Sequence, residues 1–262
     1  MKALLPMMAT LLSAVCYGQV VSNGDRQIVS SARARYYNLE AAGFQSLSCA
    51  VNFDFSTVPQ IPSANDEATR KLIQQTSFSL TLDRNGPRVE HKFPAGSPEA
   101  AKQQAAPATN LLTSLIGGIF QTWPTKGLHG PIPPFDSQIA SVARTPDGYL
   151  FGLRVPGAPI QVSTDKNYLV TTITSIGGKI TEHPDYAPSP DGMVFVGNDA
   201  TDDSEPYGQV AVKYELGLSV INGLRLPTSV RLRVNENIDV KFVLADCSVK
   251  KAMVVPVLPP PS

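Results

Sequence analysis

Histidine and cysteine each occur only three times and tryptophan once in these 262 residues, and neither sign of charge prevails, with 22 Lys plus Arg against 22 Asp plus Glu. Each scarcity removes a class of function. His91, His129 and His183 stand apart, and none belongs to a His-x-x-x-His pair, so no metal-ligand or catalytic constellation is readable and no cofactor is called for. A Gly-x-Ser-x-Gly elbow is missing, and Gly86, Gly117-Gly118 and Gly177-Gly178 lack phosphate-loop spacing. The balanced charge, with no Lys/Arg run interleaved with aromatics, argues against a nucleic-acid partner. The one adjacent base-like pair, in His183-Pro184-Asp185, reads as a strand end before a Pro-rich turn. Asp199, Asp202, Asp203 and Glu205 read as a solvated hairpin loop without calcium-loop spacing. A non-enzymatic protein is therefore expected.

Long apolar runs are also missing. The nearest is Ala3 to Cys16, preceded by Lys2 and followed by polar residues from Gln19, too short for the roughly 20 apolar residues that span a bilayer. It has the build of a cleavable signal peptide over residues 1–18, with Cys16 and Gly18 at the small-residue positions and a mature start at Gln19. The rival reading is lipid anchoring at Cys16. Export implies a periplasmic or secreted protein and leaves Cys49 and Cys247 as an even pair in a compartment where disulfides persist, so they are expected to bond.

What the sequence has in abundance is alternation. Leu47, Cys49, Val51, Phe53 and Phe55 alternate with polar residues, and similar runs recur, divided by Asn85-Gly86, Pro146-Asp147-Gly148, Gly177-Gly178, Pro190-Asp191-Gly192 and Asn222-Gly223. These predict about eleven strands, mainly β, in a curved antiparallel sheet or incomplete barrel, with the disulfide stapling the first strand near the last. One domain over 19–250 and a Pro-rich disordered tail over 251–262 complete the layout. Ile28, Ala32, Tyr36 and Leu39 predict an N-terminal helix over about 24–42, and 56–76 reads as a surface insertion carrying a short helix.

A second helix, Glu99 to Trp123, carries the apolar stripe Leu111, Leu112, Leu115, Ile116, Ile119, Phe120 and Trp123. Such a stripe must be covered. It either plugs the sheet as fixed core or forms a lid over a ligand cavity, weakened at Gly117-Gly118 and loosely tethered by the loop 124–134. In the second case these residues, with Val51, Phe53 and Phe55, line a hydrophobic ligand site.

The run Tyr36-Tyr37-Asn38-Leu39, then Gly43-Phe44-Gln45-Ser46-Leu47-Ser48 into a first strand, and the closing hairpin from Tyr214 to Val249 around Asn222-Gly223-Leu224-Arg225-Leu226-Pro227 resemble the LolA-like superfamily. The resemblance implies an unclosed antiparallel barrel lidded by helices, in a group that includes outer-membrane lipoprotein carriers and lipid-binding relatives. The cysteine pair, the 56–76 insertion and the Trp123-Pro124 region depart from that pattern and point to a secreted branch rather than a lipoprotein chaperone. The matching runs are scaffold, so no ligand contact carries over. The expected partner is a hydrophobic small molecule, lipid or lipoprotein acyl chain, with transient contact to membrane or envelope proteins. The alternative is an envelope interaction module with a fully packed core.

Overall fold

Short spans of alternating residues, each ended by a turn residue, leave the chain few options beyond hairpins added one after another. The computed structural model describes residues 22–56, 66–135, 139–154, 159–175, 177, 179–203, 208–235 and 238–252. The signal segment, the lipidation site, Glu205 and most of the tail lie outside the described residues.

Among these residues one antiparallel sheet has twelve strands. In chain order they are β1 (Phe44–Phe53), β2 (Ser77–Asp83), β3 (Gly86–Lys92) and β4 (Ile139–Arg144). Next come β5 (Gly148–Leu153), β6 (Ile160–Asp165), β7 (Val170–Ser175) and β8 (Ile180–Ser189). The last are β9 (Gly192–Asp202), β10 (Val210–Ile221), β11 (Leu224–Val234) and β12 (Ile238–Lys251). Across the sheet the order is β3-β2-β1-β12-β11-β10-β9-β8-β7-β6-β5-β4. Every neighbour is a sequential hairpin except β1 with β12, so the chain wanders out and back before its last strand closes on its first. The sheet is curved, antiparallel and not closed, as the alternation predicts. One strand more than expected is present. β6, Ile-Gln-Val-Ser-Thr-Asp, carries only two large apolar residues and gives little signal on its own.

Among the described residues three α-helices lie against the sheet: α1 (Asn23–Ala34), α2 (Glu67–Gln75) and α3 (Glu99–Trp123). The Ser22 hydroxyl accepts from Asp25 N while the Asp25 carboxylate accepts from Ser22 N, a reciprocal cap that starts α1. The helix stops at Ala34, earlier than the predicted 42. Tyr36 leaves it to form a parallel bridge with Met193, Tyr37 N donating to Met193 O and Met193 N to Arg35 O. This docking needs Gly192 (φ +117°), where a Cβ would come within 3.0 Å of Arg35 O and Tyr37 N. Nor is the 56–76 stretch simply a surface insertion. α2, capped by Asp66, buries Leu72 and Ile73 in the core and bonds Thr69 Oγ1 to Gln104 of α3.

Register shows that α1 and α3 share one face of the sheet. Directly paired residues lie on the same face, as do residues two apart in a strand. From Val51 the path runs through Leu244 to Phe242, then Val230, Leu216, Tyr214, Asn198, Pro184, Glu182, Ile173, Val162 and Phe151 without changing face. α3 covers the β1 end of that line and α1 the β5 end, giving two apolar cores.

Pro184 sits in the middle of β8, not at a strand end as expected, and is accommodated next to a bulge at Asp185/Tyr186. Among the described residues β7 and β8 pair through Ile173↔Glu182 and Thr174↔Thr181. Side chains bond the far end of β7 instead: His183 Nδ1 lies 3.1 Å from Thr171 O, and the buried Tyr36 hydroxyl donates to Tyr168 O and accepts from Val170 N, both at 2.7 Å. Tyr168 is held in the left-handed region (φ +64°). Burial pushes the Tyr36 phenol far above its ordinary range, so it stays neutral and able to donate.

Cys49 and Cys247 are disulfide-bonded, as the sequence predicts, with Cα atoms 4.2 Å apart across the β1–β12 pair. Their separation of 198 residues gives a chain-entropy contribution of roughly 5 kcal/mol. Replacing both by alanine should lower stability by about that amount in urea unfolding, with β1–β12 pairing retained by far-UV circular dichroism. Tyr36→Phe should cost about 1–3 kcal/mol, because Val170 N loses its acceptor inside the fold; an unchanged urea midpoint would show that this bond is dispensable.

Candidate ligand-binding cleft

The stripe on α3 behaves as core. Leu112, Ile116, Ile119, Phe120 and Trp123 are all buried, packed in the larger apolar core with the strands beneath. Leu115 is partly buried, and Leu111, expected inside, is 42 % exposed. Val51 is buried beneath them, while Phe53 and Phe55 sit half-buried at the margin, Phe53 meeting Phe78 edge to face and Phe242 at a tilt. The structure thus brings most of the predicted lining together as filled core. α3 runs unbroken through Gly117-Gly118.

The 124–134 stretch is not a loose tether. Pro124–Leu128 continues α3 as a π-helical turn that buries Lys126, Gly127 and Leu128. A wider turn of this kind re-aims side chains that a regular helix would space differently. Lys126 points into the fold and pairs with Glu182 of β8 at 2.6 Å, their side chains 3 % and 20 % exposed. Asn198 Nδ2 donates to the same Glu182 carboxylate at 2.8 Å. Gly127 lies so close to the Trp123 indole that a Cβ would fall 2.6 Å from Nε1. Between the two apolar cores there is thus a polar seam, Lys126, Glu182, Asn198 and Tyr186. The Asn198 Oδ1 and Tyr186 hydroxyl have no hydrogen-bond partner among the described residues.

On the α1 side of this seam a cleft of about 440 Å³ opens, within the range of small-molecule sites. Leu153, Ile160, Val162 and Ile173, side by side on β5, β6 and β7, form its apolar floor. Pro131, Pro133 and Pro134 make the opposite wall. Three hydrogen bonds tie that wall and the residues leading into it to the end of α1 and the chain after it: Arg33 Nη1 donates to Ile132 O at 3.1 Å, Asn38 Nδ2 to His129 O and Glu40 N to Leu128 O. Arg33, Glu40, Lys126 and Glu182 supply charge around it, and His129 Nδ1 lies 3.1 Å from a Glu40 carboxylate oxygen.

Sequence reasoning missed this cleft. Its floor is spread over three strands, one of them the weak β6, and its wall was read as a connecting loop. The available signal was the phase of Leu153, Ile160 and Ile173, apolar at inward positions without a predicted helix to cover them.

A larger depression of about 580 Å³ lies where β1, β12, β11 and β10 bend around Gly217. Leu216, Val230 and Phe242 there are buried, so it opens on the outer face, among Asn52, Asp54, Glu215, Arg231 and Lys241. Phe53 and the exposed Val243 line it too, so its lining is mixed, and it is a more open hollow than the cleft beside α1.

Of the remaining candidates, His91 Nδ1 lies 3.3 Å from Thr113 Oγ1, and Asp199 pairs with Lys213 at 3.6 Å. Among the described residues no three His, Cys, Asp or Glu side chains gather as a metal site, and no helix is long and apolar enough to cross a membrane. Comparison of the chain with protein-family models, with curated proteins and with solved structures found no match.

The Lys126–Glu182 pair should behave as a buried structural ion pair. Lys126→Met, which strands Glu182, should cost about 3 kcal/mol in urea unfolding. Adding Glu182→Gln, which keeps an acceptor for Asn198, should recover more than half of that loss.

Proposed function

We propose that this protein is a non-enzymatic binding or carrier protein for a hydrophobic ligand, exported to a periplasmic or extracellular compartment. The observation that carries the reading is the cleft floored by Leu153, Ile160, Val162 and Ile173 and walled by prolines, a largely apolar hollow with Glu182 beside Ile173 and with Arg33, Glu40 and Lys126 around it. Removing an acyl chain from water there would be driven by roughly 25 cal/mol per Å² of apolar surface buried. The resemblance to the LolA-like superfamily, whose members include lipid carriers, supports the same class. The packed state of α3 moves the proposed site from beneath that helix to the β5–β7 end of the same face. The disulfide suits an oxidising compartment, and the signal-like N-terminus suits export.

The second reading, an interaction module with a packed core, is favoured by one observation, the filled interface beneath α3. The two readings separate on ligand capture. Phenylnaphthylamine fluorescence should rise on mixing with the protein and fall when dodecanol is added. Ile173→Glu, which puts a carboxylate on the cleft floor, should weaken dodecanol binding at least about ten-fold without unfolding the protein. If neither compound binds the folded wild type, the carrier reading fails and the interaction module stands.

A further inference from the structure

The charges around the cleft are not equivalent. Lys126 is committed to Glu182, and His129 lies against Glu40. Arg33, in the last turn of α1, is different: among the described residues no carboxylate lies within ion-pair distance, and its one protein bond is from Nη1 to the Ile132 carbonyl. A cation in the last turn of a helix has a plain structural use, offsetting the negative end of the helix dipole. That use does not account for the position of this one, which is drawn to the cleft wall and holds the proline segment there. A guanidinium carries five N–H donors in a planar fork, and the Ile132 carbonyl takes one of them.

We infer that the cleft takes a single-chain amphiphile with a carboxylate head group, its head on Arg33 and its chain along Leu153, Ile160, Val162 and Ile173. The inference rests on the cleft being the binding site. The argument for the head is charge complementarity. One guanidinium with no carboxylate at ion-pair distance among the described residues matches one carboxylate, which the fork can engage through two parallel bonds. A phosphate monoester carries between one and two negative charges at neutral pH, and Glu40 on the same cleft would repel the excess. A cationic head would face Arg33 directly. The argument for a single chain is room: about 440 Å³ behind a proline wall is at the lower end of ligand cavities.

Calorimetric titration of the disulfide-bonded protein with four twelve-carbon compounds tests this: dodecanoate, dodecanol, dodecylamine and dodecyl phosphate. Dodecanoate should bind about ten-fold more tightly than any of the others, the size of one charge-assisted bond pair. Arg33→Gln should bring dodecanoate down to the dodecanol affinity and leave dodecanol itself unchanged. Arg33→Lys should restore only part of the difference, since an ammonium lacks the fork. Equal affinity for dodecanoate and dodecanol, or a preference for the phosphate or the amine, overturns the head-group inference while the carrier reading survives, because chains still bind. Binding of no compound to the folded wild type overturns both. The wild-type series decides the matter even if the Arg33 variants fold poorly.

Discussion

Everything around the centre of this fold is referred to one buried contact, the Lys126–Glu182 ion pair. An ammonium removed from water is tolerated only where a carboxylate meets it closely and the remaining lone pairs are occupied, as Asn198 does here. Satisfying that demand fixes the π-helical turn Pro124–Leu128 over β8. Fixing the turn holds Trp123 in the core and places the chain that follows, His129 to Pro134, as a wall. The same contact therefore closes one half of the sheet and shapes the hollow in the other. It also weighs against α3 swinging away as a lid, since such a motion would have to separate a buried charge pair and uncover the indole.

The topology explains why such a centre is needed. The meander leaves β3 and β4 at opposite ends of a curved sheet, and the only join between early and late chain within it is β1 with β12. The disulfide reinforces that join, Cys49 and Cys247 lying at a bulge where the backbone ladder is locally interrupted. Nothing in the ladder links the α3 core to the α1 core beyond the strands themselves. The Lys126–Glu182–Asn198 seam and the edge-to-face contact of Tyr36 with Tyr186, ring centroids 4.9 Å apart, supply that link through side chains.

The sheet was legible because its signals are local. Period-two alternation and Asn-Gly turns act within a few residues, and Asn222-Gly223 adopts the paired positive φ values that a tight hairpin requires. The α3 stripe and the cysteine pair were legible for similar reasons. Tyr36 and Leu39 have a spacing that fits a helix, but Tyr36 bridges to Met193 and Glu40, next to Leu39, donates to Leu128 O, partners about ninety or more residues away. β6 was weak because Gln161, Ser163 and Thr164 dilute its apolar pattern. The cleft was not legible at all. Its residues come from α1, the proline segment and four strands, and a basic residue such as Arg33 looks the same in sequence whether or not an acid waits for it.

That the hollow lies at the α1 end follows from lengths. α3, with 25 residues, is about 37 Å long, and with α2 beside it can cover the β1 side of the sheet. α1 has 12 residues, about 18 Å, and a helix with its side chains is about 10 Å wide. The face made by β4 to β7 is roughly 19 Å across and about 20 Å along its six-residue strands. One short helix covers less than half of that area. Phe151, Val162 and Val170 fall beneath or beside it and are buried, whereas Leu153, Ile160 and Ile173, on the same face, remain only partly covered. The remaining cover comes from Pro131 to Pro134, a segment whose rings fix the backbone but leave few side chains long enough to fill the space beneath. A longer α1 would have packed this end as α3 packs the other, so the hollow is a consequence of where the first helix stops.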